Sequence, residues 1–420
     1  MHHSDYPLSE VPTSARKGLL STSAVLLGFT FFTATMWAGG TLGQAFPIGQ
    51  LLWIIAIGNL LLGVYAAALA YIACKSGLNS VLMGRFCFGE KGSKLSDFIL
   101  GFTQIGWYAW GTATIALVLV RTTGMPEWLE IPLMVLFGFG FCVTAMIGYK
   151  GMDWLSRFAV PAMMLFILIS LFTGLVDVRG FAGLSQQTPT ESMSVAAAIT
   201  VIIGTFISGG TQATNWSRFA KTPKIAVIAT LAAFFVGNGL MVLTGALGTM
   251  IYQQADIVDV LIAQGFVTIA VLMLFLNIWT TQDNTIYNFA VAGCNLLRTE
   301  KRRLVTVGGA AIGTVLAVGG MYNLLIPFLV LLSTFIPPMG GVIMADFWLK
   351  HKGRYPTLDK AQLPDFNRRG LAAYALGAGA AYFSPLLPPL IGVVVAAGSY
   401  AVLLRLNHAT LSDTLPSTAK

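Results

Sequence analysis

The sequence predicts an all-α polytopic membrane protein: twelve transmembrane helices, ten of them in two inverted five-helix repeats whose first helices, 1 and 6, are broken. Three observations predict it. Hydrophobic residues make up 56% of the 420-residue chain and charged residues only 10%, with a mean hydropathy of +0.75. The apolar runs are each about twenty residues or longer, which fits helices and not the ten-residue alternating strands of a membrane barrel. Of the 25 lysines and arginines, all but Arg121 and Arg179 fall in segments on one side of a twelve-span topology. That asymmetry explains the net charge of +8 without nucleic acid, and places both termini in the cytoplasm. Finally, Gly28-Phe-Thr-Phe is echoed by Gly204-Thr-Phe, and Gly58-Asn59 by Gly237-Asn238, at offsets of 176 and 179 residues. Five spans separate the members of each pair, and an odd number of spans inserts the second copy upside down.

The elements follow in order. Residues 1 to 17 read as a cytoplasmic tail, 18 to 176 as the first repeat, 192 to 349 as the second, 370 to 405 as helices 11 and 12, and 406 to 420 as a second tail. Span 1, from Leu19 to Gly40, is too long for a signal peptide and carries a glycine and hydroxyls, Gly28 to Thr33, at mid-membrane depth. Span 2 runs from Leu51 to Cys74. Span 3, Phe98 to Val120, sets Gln104 and Trp107 on one face, with Gly111 a turn further leaving space beside the indole. Spans 4 and 5, Ile131 to Gly148 and Phe158 to Leu175, read as scaffold.

Span 6 organises the rest. Thr200 to Trp216 starts as a membrane helix and turns polar and glycine-rich at Ser208, Gly209 and Gly210. That point lies roughly 22 Å in from Ser194, past the middle of a hydrocarbon layer about 30 Å thick. Free backbone groups at that depth need protein or a water-filled cavity to receive them, so a break there marks a binding site. The alternative is a helix that ends near Ile207. Span 7 runs from Ile225 to Met250. In span 8, Asn277, Thr280, Thr281, Asn284 and Asn288 share a polar stripe, and Asp283 lies about 120° away. Span 9, Val305 to Met321, is glycine-rich and close-packing. Span 10, Leu324 to Trp348, is interrupted by Pro337-Pro338 and Gly340-Gly341, a hinge for gating. Spans 11 and 12 cover Leu371 to Leu387 and Leu390 to Leu404.

No enzyme constellation is present. His2, His3, His351 and His408 lie outside the spans, no P-loop, H-E-x-x-H or G-x-S-x-G occurs, and the four cysteines have no metal spacing. The candidate site is neutral: Gln104, Trp107, Phe206, Ser208 and Asn277. Aromatic faces with side-chain amides suit a planar, uncharged, hydrogen-bonding heterocycle. Core packing of the aromatics and interhelical bonding of the amides are the competing explanations. Thr280 and Thr281, with carbonyls freed around Gly28 to Phe31, could hold sodium; the competing explanation is back-bonding within the helix. A proton couple would have to use Asp283, the one charge between Asp259 and Arg298.

These motifs resemble the nucleobase cation symporters along nearly the whole chain, through Ser14-Ala-Arg-Lys-Gly18, Gly39-Gly-Thr-Leu-Gly43, Arg85-Phe-Cys-Phe-Gly89, Gln104-Ile-Gly-Trp107, Phe206-Ile-Ser208, Asn277-Ile-Trp-Thr-Thr281 and Ile336-Pro-Pro-Met-Gly-Gly341. The resemblance implies a LeuT-like fold and sodium-coupled cytosine import across a bacterial inner membrane by alternating access. It implies no cofactor beyond the coupling sodium ion, and no partner beyond cytosine, sodium and membrane lipid. It further implies that the base stacks between Trp107 and Phe206, bonded by Gln104, Ser208, Asn277 and backbone near Gly209. Sodium would take the carbonyls of Gly28, Phe31 and Asn277 and the hydroxyls of Thr280 and Thr281. Thr205 and Gly209 stand where the family pattern has serine and alanine, and Gln282 where it has asparagine. Thr205 keeps the hydroxyl and Gly209 the backbone N–H. The alternatives are a same-fold permease for another nucleobase, a hydantoin or a small amino acid, proton coupling, or a channel or substrate-sensing receptor.

Overall fold

The computed structural model describes residues 5–412 and is helical almost throughout; among these residues the only strand-like pairing is an isolated bridge between Lys17 and Ala220. His2 and His3 lie outside the described residues. The first half comprises α1 (Leu19–Thr30), α2 (Thr33–Ala45), α3 (Ile48–Ser76), α4 (Ser80–Phe88), α5 (Ser93–Thr123), α6 (Glu130–Gly140), α7 (Cys142–Ile147), α8 (Tyr149–Asp177) and α9 (Phe181–Ser185). The second comprises α10 (Val195–Gln212), α11 (Thr214–Ser217), α12 (Pro223–Leu231), α13 (Asn238–Tyr252), α14 (Ile257–Ala263), α15 (Val267–Leu297), α16 (Arg302–Val318), α17 (Leu325–Phe335) and α18 (Pro337–Ala345). Two further helices follow, α19 (Arg368–Phe383) and α20 (Pro388–Ser412). Polar side chains start several of them. Ser194 accepts from the Ala197 amide, Asn79 from Leu82 and Thr222 from Ile225, each at the start of a helix whose first amides lack intrahelical partners.

Among the described residues, seven helices are long and apolar enough to cross a membrane, or eight if the bent pair α1 and α2 is one span. Twelve were expected. The shortfall has a physical origin: α5 and α15, at 31 residues each, carry the buried polar residues of the interior, and α16 and α19 have only 17 and 16 residues.

The first span breaks where Gly28 to Thr33 suggested. Phe31 and Phe32 leave helical geometry, and α1 and α2 meet at 58°. The freed backbone is received by protein, as it must be away from water. The Thr33 amide donates to Asn277 Oδ1 at 3.0 Å, and the Phe31 carbonyl accepts from Thr281 Oγ1 at 3.2 Å. The sixth span differs from expectation. Its backbone leaves helical φ/ψ at Phe206 (φ −137°, ψ 16°), and Ser208, Gly209 and Gly210 lie within the helical run that continues to Gln212. The glycines serve close packing: a Cβ on Gly209 would lie 2.5 Å from Phe206 Cδ1 and 2.7 Å from Phe29 Cε1.

The two halves interlock through the matched glycine-asparagine pairs. Asn238 Nδ2 donates to Asn59 Oδ1 at 2.8 Å, and a Cβ on Gly58 would meet Ile202 of α10 while one on Gly237 would meet Thr30 of α1. Each glycine thus lets one half approach the broken helix of the other. A π-helical turn, Ala232–Gly237, leads into Asn238. Elsewhere, Gly39 and Gly43 of α2 and Gly245 of α13 bring the two helix backbones together, as a G-x-x-x-G face permits.

The segment read as a cytoplasmic tail is packed down onto the helices from Asp5 onward. Val11 is 2% exposed and its amide donates to the Gly77 carbonyl at 3.0 Å, and the Lys17 amide donates to Phe219 at 2.5 Å. Asp5 pairs with Arg302 at 3.0 Å, and Arg218 donates to the carbonyls of Asp5 and Tyr6 at 2.8 and 2.9 Å. Burial pushes the Asp5 carboxyl above its ordinary range, against the opposing pull of Arg302.

Candidate functional site

A narrow, tightly closed cavity lies between the two broken helices, α5 and α15. Gln104, Trp107, Thr205, Phe206 and Gly209 line it, together with Phe29, Phe32, Thr281 and Thr285. Its aromatic walls are edge-on. Phe32 meets Trp107 with ring centroids 5.6 Å apart, Phe328 meets Trp107 at 5.4 Å, and Phe29 meets Phe206 at 5.0 Å. Such pairs hold ring orientations beyond what burial alone does.

Ser208 and Asn277, the other two expected binding residues, are neighbours of the lining. Ser208 Oγ accepts from Gln104 Nε2 at 3.0 Å and faces Thr103 Oγ1 at 3.2 Å. Asn277 is 1% exposed, and its Nδ2 has no protein partner. The Gly111 expectation is corrected. A Cβ there would lie 2.6 Å from the Gln282 side-chain carbon, so the gap admits that amide, whose Nε2 donates to the Tyr108 carbonyl at 2.6 Å; it is not space beside Trp107.

The oxygens expected around sodium gather at the α1–α2 break. Thr281 Oγ1 lies 3.2 Å from the Phe31 carbonyl and 3.1 Å from that of Asn277, and Thr280 Oγ1 lies 3.4 Å from Asn277 O. Thr280 also back-bonds to Leu276 at 2.8 Å, the alternative weighed from sequence. Gly28 is close by: a Cβ on it would lie 2.6 Å from Ser156 Oγ and 3.5 Å from Thr280 Cβ. Ser156 is fully buried and its hydroxyl has no partner. The donor set is all oxygen and formally neutral, which suits a monovalent cation.

Thr144 is an isolated hydroxyl in a span read as scaffold and Ser156 falls just before the next such span, so sequence reasoning missed both. Thr144 donates to Asp283 Oδ2 at 2.9 Å and accepts from Trp279 Nε1 at 3.2 Å. Asp283 is fully buried; it meets Thr144 of α7 through Oδ2, and its Oδ1 accepts from Asn284 Nδ2 of the polar stripe at 3.0 Å. Also missed were three polar contacts between distant segments: Thr33 donates to Asp256 Oδ2 at 3.0 Å, Arg121 pairs with Asp259 at 2.8 Å, and Glu90 pairs with Arg85 and Arg298.

The fold is shared with solved transporters. The structure of Mhp1, a nucleobase-cation-symport-1 family transporter, in a closed conformation with bromovinylhydantoin bound, matches with a TM-score of 0.85 at 18% identity, covering 98% of this chain and 96% of that one. A Na+-coupled sialic acid symporter matches with a TM-score of 0.71 at 14% identity, covering 94% and 90%. The model for permeases for cytosine/purines, uracil, thiamine and allantoin matches residues 10–403, and the chain belongs to that family. The permease family, together with this shared fold, makes it a multi-pass membrane transporter and not an enzyme. A cytosine permease of Escherichia coli (strain K12) is 39% identical over 394 residues, covering 94% of this chain and 92% of that protein. A hydantoin permease of Microbacterium maritypicum is 23% identical, covering 90% and 84%.

Proposed function

We propose that the protein is a sodium-coupled symporter that imports cytosine across the bacterial inner membrane by alternating access, with both termini in the cytoplasm. The observation that carries this reading is the adjacency of two neutral sites at the α1–α2 break. Asn277 bonds the first amide of α2 through its side chain, and its carbonyl lies beside both threonine hydroxyls. Filling either site fixes the same residue, so each ligand favours the arrangement that the other needs, and binding is reciprocally coupled. The base slips between Trp107 and Phe206 and bonds Gln104, Asn277 and the backbone following Phe206. Sodium is held by the carbonyls of Gly28, Phe31 and Asn277 with Thr280 and Thr281, and Ser156 supplies a further oxygen.

Cytosine binding, read by quenching of tryptophan fluorescence, should tighten when sodium replaces potassium. Thr281→Ala should reduce that sodium effect while leaving thermal stability near the parent's, because one ligand of a dehydrated cation is worth about 1 to 3 kcal/mol. Binding indifferent to sodium in the parent, but promoted by acid, would overturn the assignment and point to Asp283.

Gating falls to α17 and α18, which meet at Ile336-Pro337 and hold different partners. Phe328 of α17 packs on Trp107, and Gly341 of α18 abuts the Val393 backbone in α20. Pro337 and Pro338 lack amide donors, so the halves move separately. Ala at both positions should slow transport and leave equilibrium binding largely intact; equal loss of both would indicate a packing defect instead.

A further inference from the structure

Gln104 lies in the middle of a chain of buried hydrogen bonds. Thr103 Oγ1 lies 2.9 Å from the Leu100 carbonyl and 3.2 Å from Ser208 Oγ. With its proton on Leu100, Thr103 accepts from Ser208, and Ser208 accepts from Gln104 Nε2 at 3.0 Å. At its other end Gln104 Oε1 accepts from Asn288 Nδ2 at 3.2 Å, and Asn288 Oδ1 accepts from Asn215 Nδ2 at 2.7 Å. Thr103, Asn288 and Asn215 are all 2% exposed or less, so water does not compete for these bonds. Asn277 is held the same way, since its Oδ1 accepts from the Thr33 amide, which can only donate. The Asn277 amide cannot flip without setting its Nδ2 against the Thr33 N–H, and the Gln104 amide cannot flip alone, since Asn288, Asn215 and the Thr103 hydroxyl would have to turn with it.

We infer that Asn288 and Thr103 are specificity-determining positioning residues. They fix the Gln104 amide so that, with Asn277, the site offers N–H donors to a heterocycle whose neighbouring ring positions are both acceptors. This rests on the reading of the cavity as the substrate site and adds what sets its selectivity. Cytosine presents O2 and N3 as adjacent acceptors, whereas uracil carries a proton on N3 and meets donor with donor. Neither Asn288 nor Thr103 lines the cavity, so their effect passes through Gln104.

The test is the ratio of uracil to cytosine concentrations that half-inhibit binding of labelled cytosine to the full-length protein. Asn288→Asp replaces the donor toward Gln104 with a carboxylate, and Thr103→Val, nearly isosteric, removes the proton sink at the other end. Each should lower the ratio at least about tenfold, because one mismatched buried group is worth roughly that factor. Thr103→Val changes shape least and keeps the test open should Asn288→Asp fold poorly. A ratio unchanged in both variants, with affinities for the two bases falling alike, would make the chain merely structural and overturn the inference. A parent that prefers uracil or a hydantoin would instead refute the cytosine assignment. The relay stands in that case if the same variants shift whichever preference the parent shows, and falls if they do not.

Discussion

Uracil should inhibit cytosine uptake about a hundredfold or more less effectively than 5-fluorocytosine does. The two competitors differ from cytosine in different ways. 5-Fluorocytosine keeps the whole hydrogen-bonding edge, whereas uracil converts N3 into a donor and position 4 into an acceptor. A freely turning amide would accommodate either base, so discrimination needs partners that cannot turn. Two kinds are present. Asn277 Oδ1 is tied to the Thr33 amide, and the backbone after Phe206 has fixed N–H directions because that residue lies outside helical geometry. Each buried mismatch costs about 1 to 3 kcal/mol, and two together give the hundredfold. Comparable inhibition by uracil and cytosine in the uptake assay would mean that stacking on Trp107 and Phe206 dominates and that the polar assignments are wrong.

Gly39→Val should be among the most damaging single changes outside the site. A Cβ at Gly39 would overlap the backbone carbonyl of Val242, and the reciprocal overlap faces Gly245, where Met36 backbone stands in the way. Backbone cannot rotate aside as a side chain does. α2 would therefore be pushed off α13, and α2 is the half-helix whose first amide holds Asn277. Overpacking of this kind costs about 3 kcal/mol or more where the structure cannot yield. Gly308→Val is the control, since nothing lies within 4 Å of its Cβ position. Thermal unfolding in detergent should show a large loss for Gly39→Val and almost none for Gly308→Val. Equal stability of the two would contradict the close-packed account of this helix pair.

Much of this architecture is legible in the sequence, and the misses have physical causes. Composition and charge asymmetry report the membrane class because the solvent imposes them on every span. The break in the first span is legible since Gly28 to Thr33 places polar groups where lipid tolerates none. Its counterpart was misplaced by two residues because glycine has two uses that a sequence does not separate. Ser208 to Gly210 looked like a flexible break, yet Gly209 admits the rings of Phe206 and Phe29, and Gly210 faces Ala66 and Leu62. Gly111 misled in the same way, with Gln282 filling its space. Ser156 and Thr144 were missed because a single hydroxyl in an apolar helix is ordinary until another helix is laid against it. Asn288 was placed on the correct stripe, but its bond to Gln104 joins residues 184 apart, a contact that no periodicity reports.

Uptake of radiolabelled cytosine into proteoliposomes, with an inward gradient of sodium, potassium or protons imposed in turn, tests the central claim most directly. Saturable accumulation above the external concentration is expected with sodium alone, collapsing when the sodium gradient is dissipated. Accumulation driven by protons and indifferent to sodium, or equilibration without accumulation under every gradient, would contradict it.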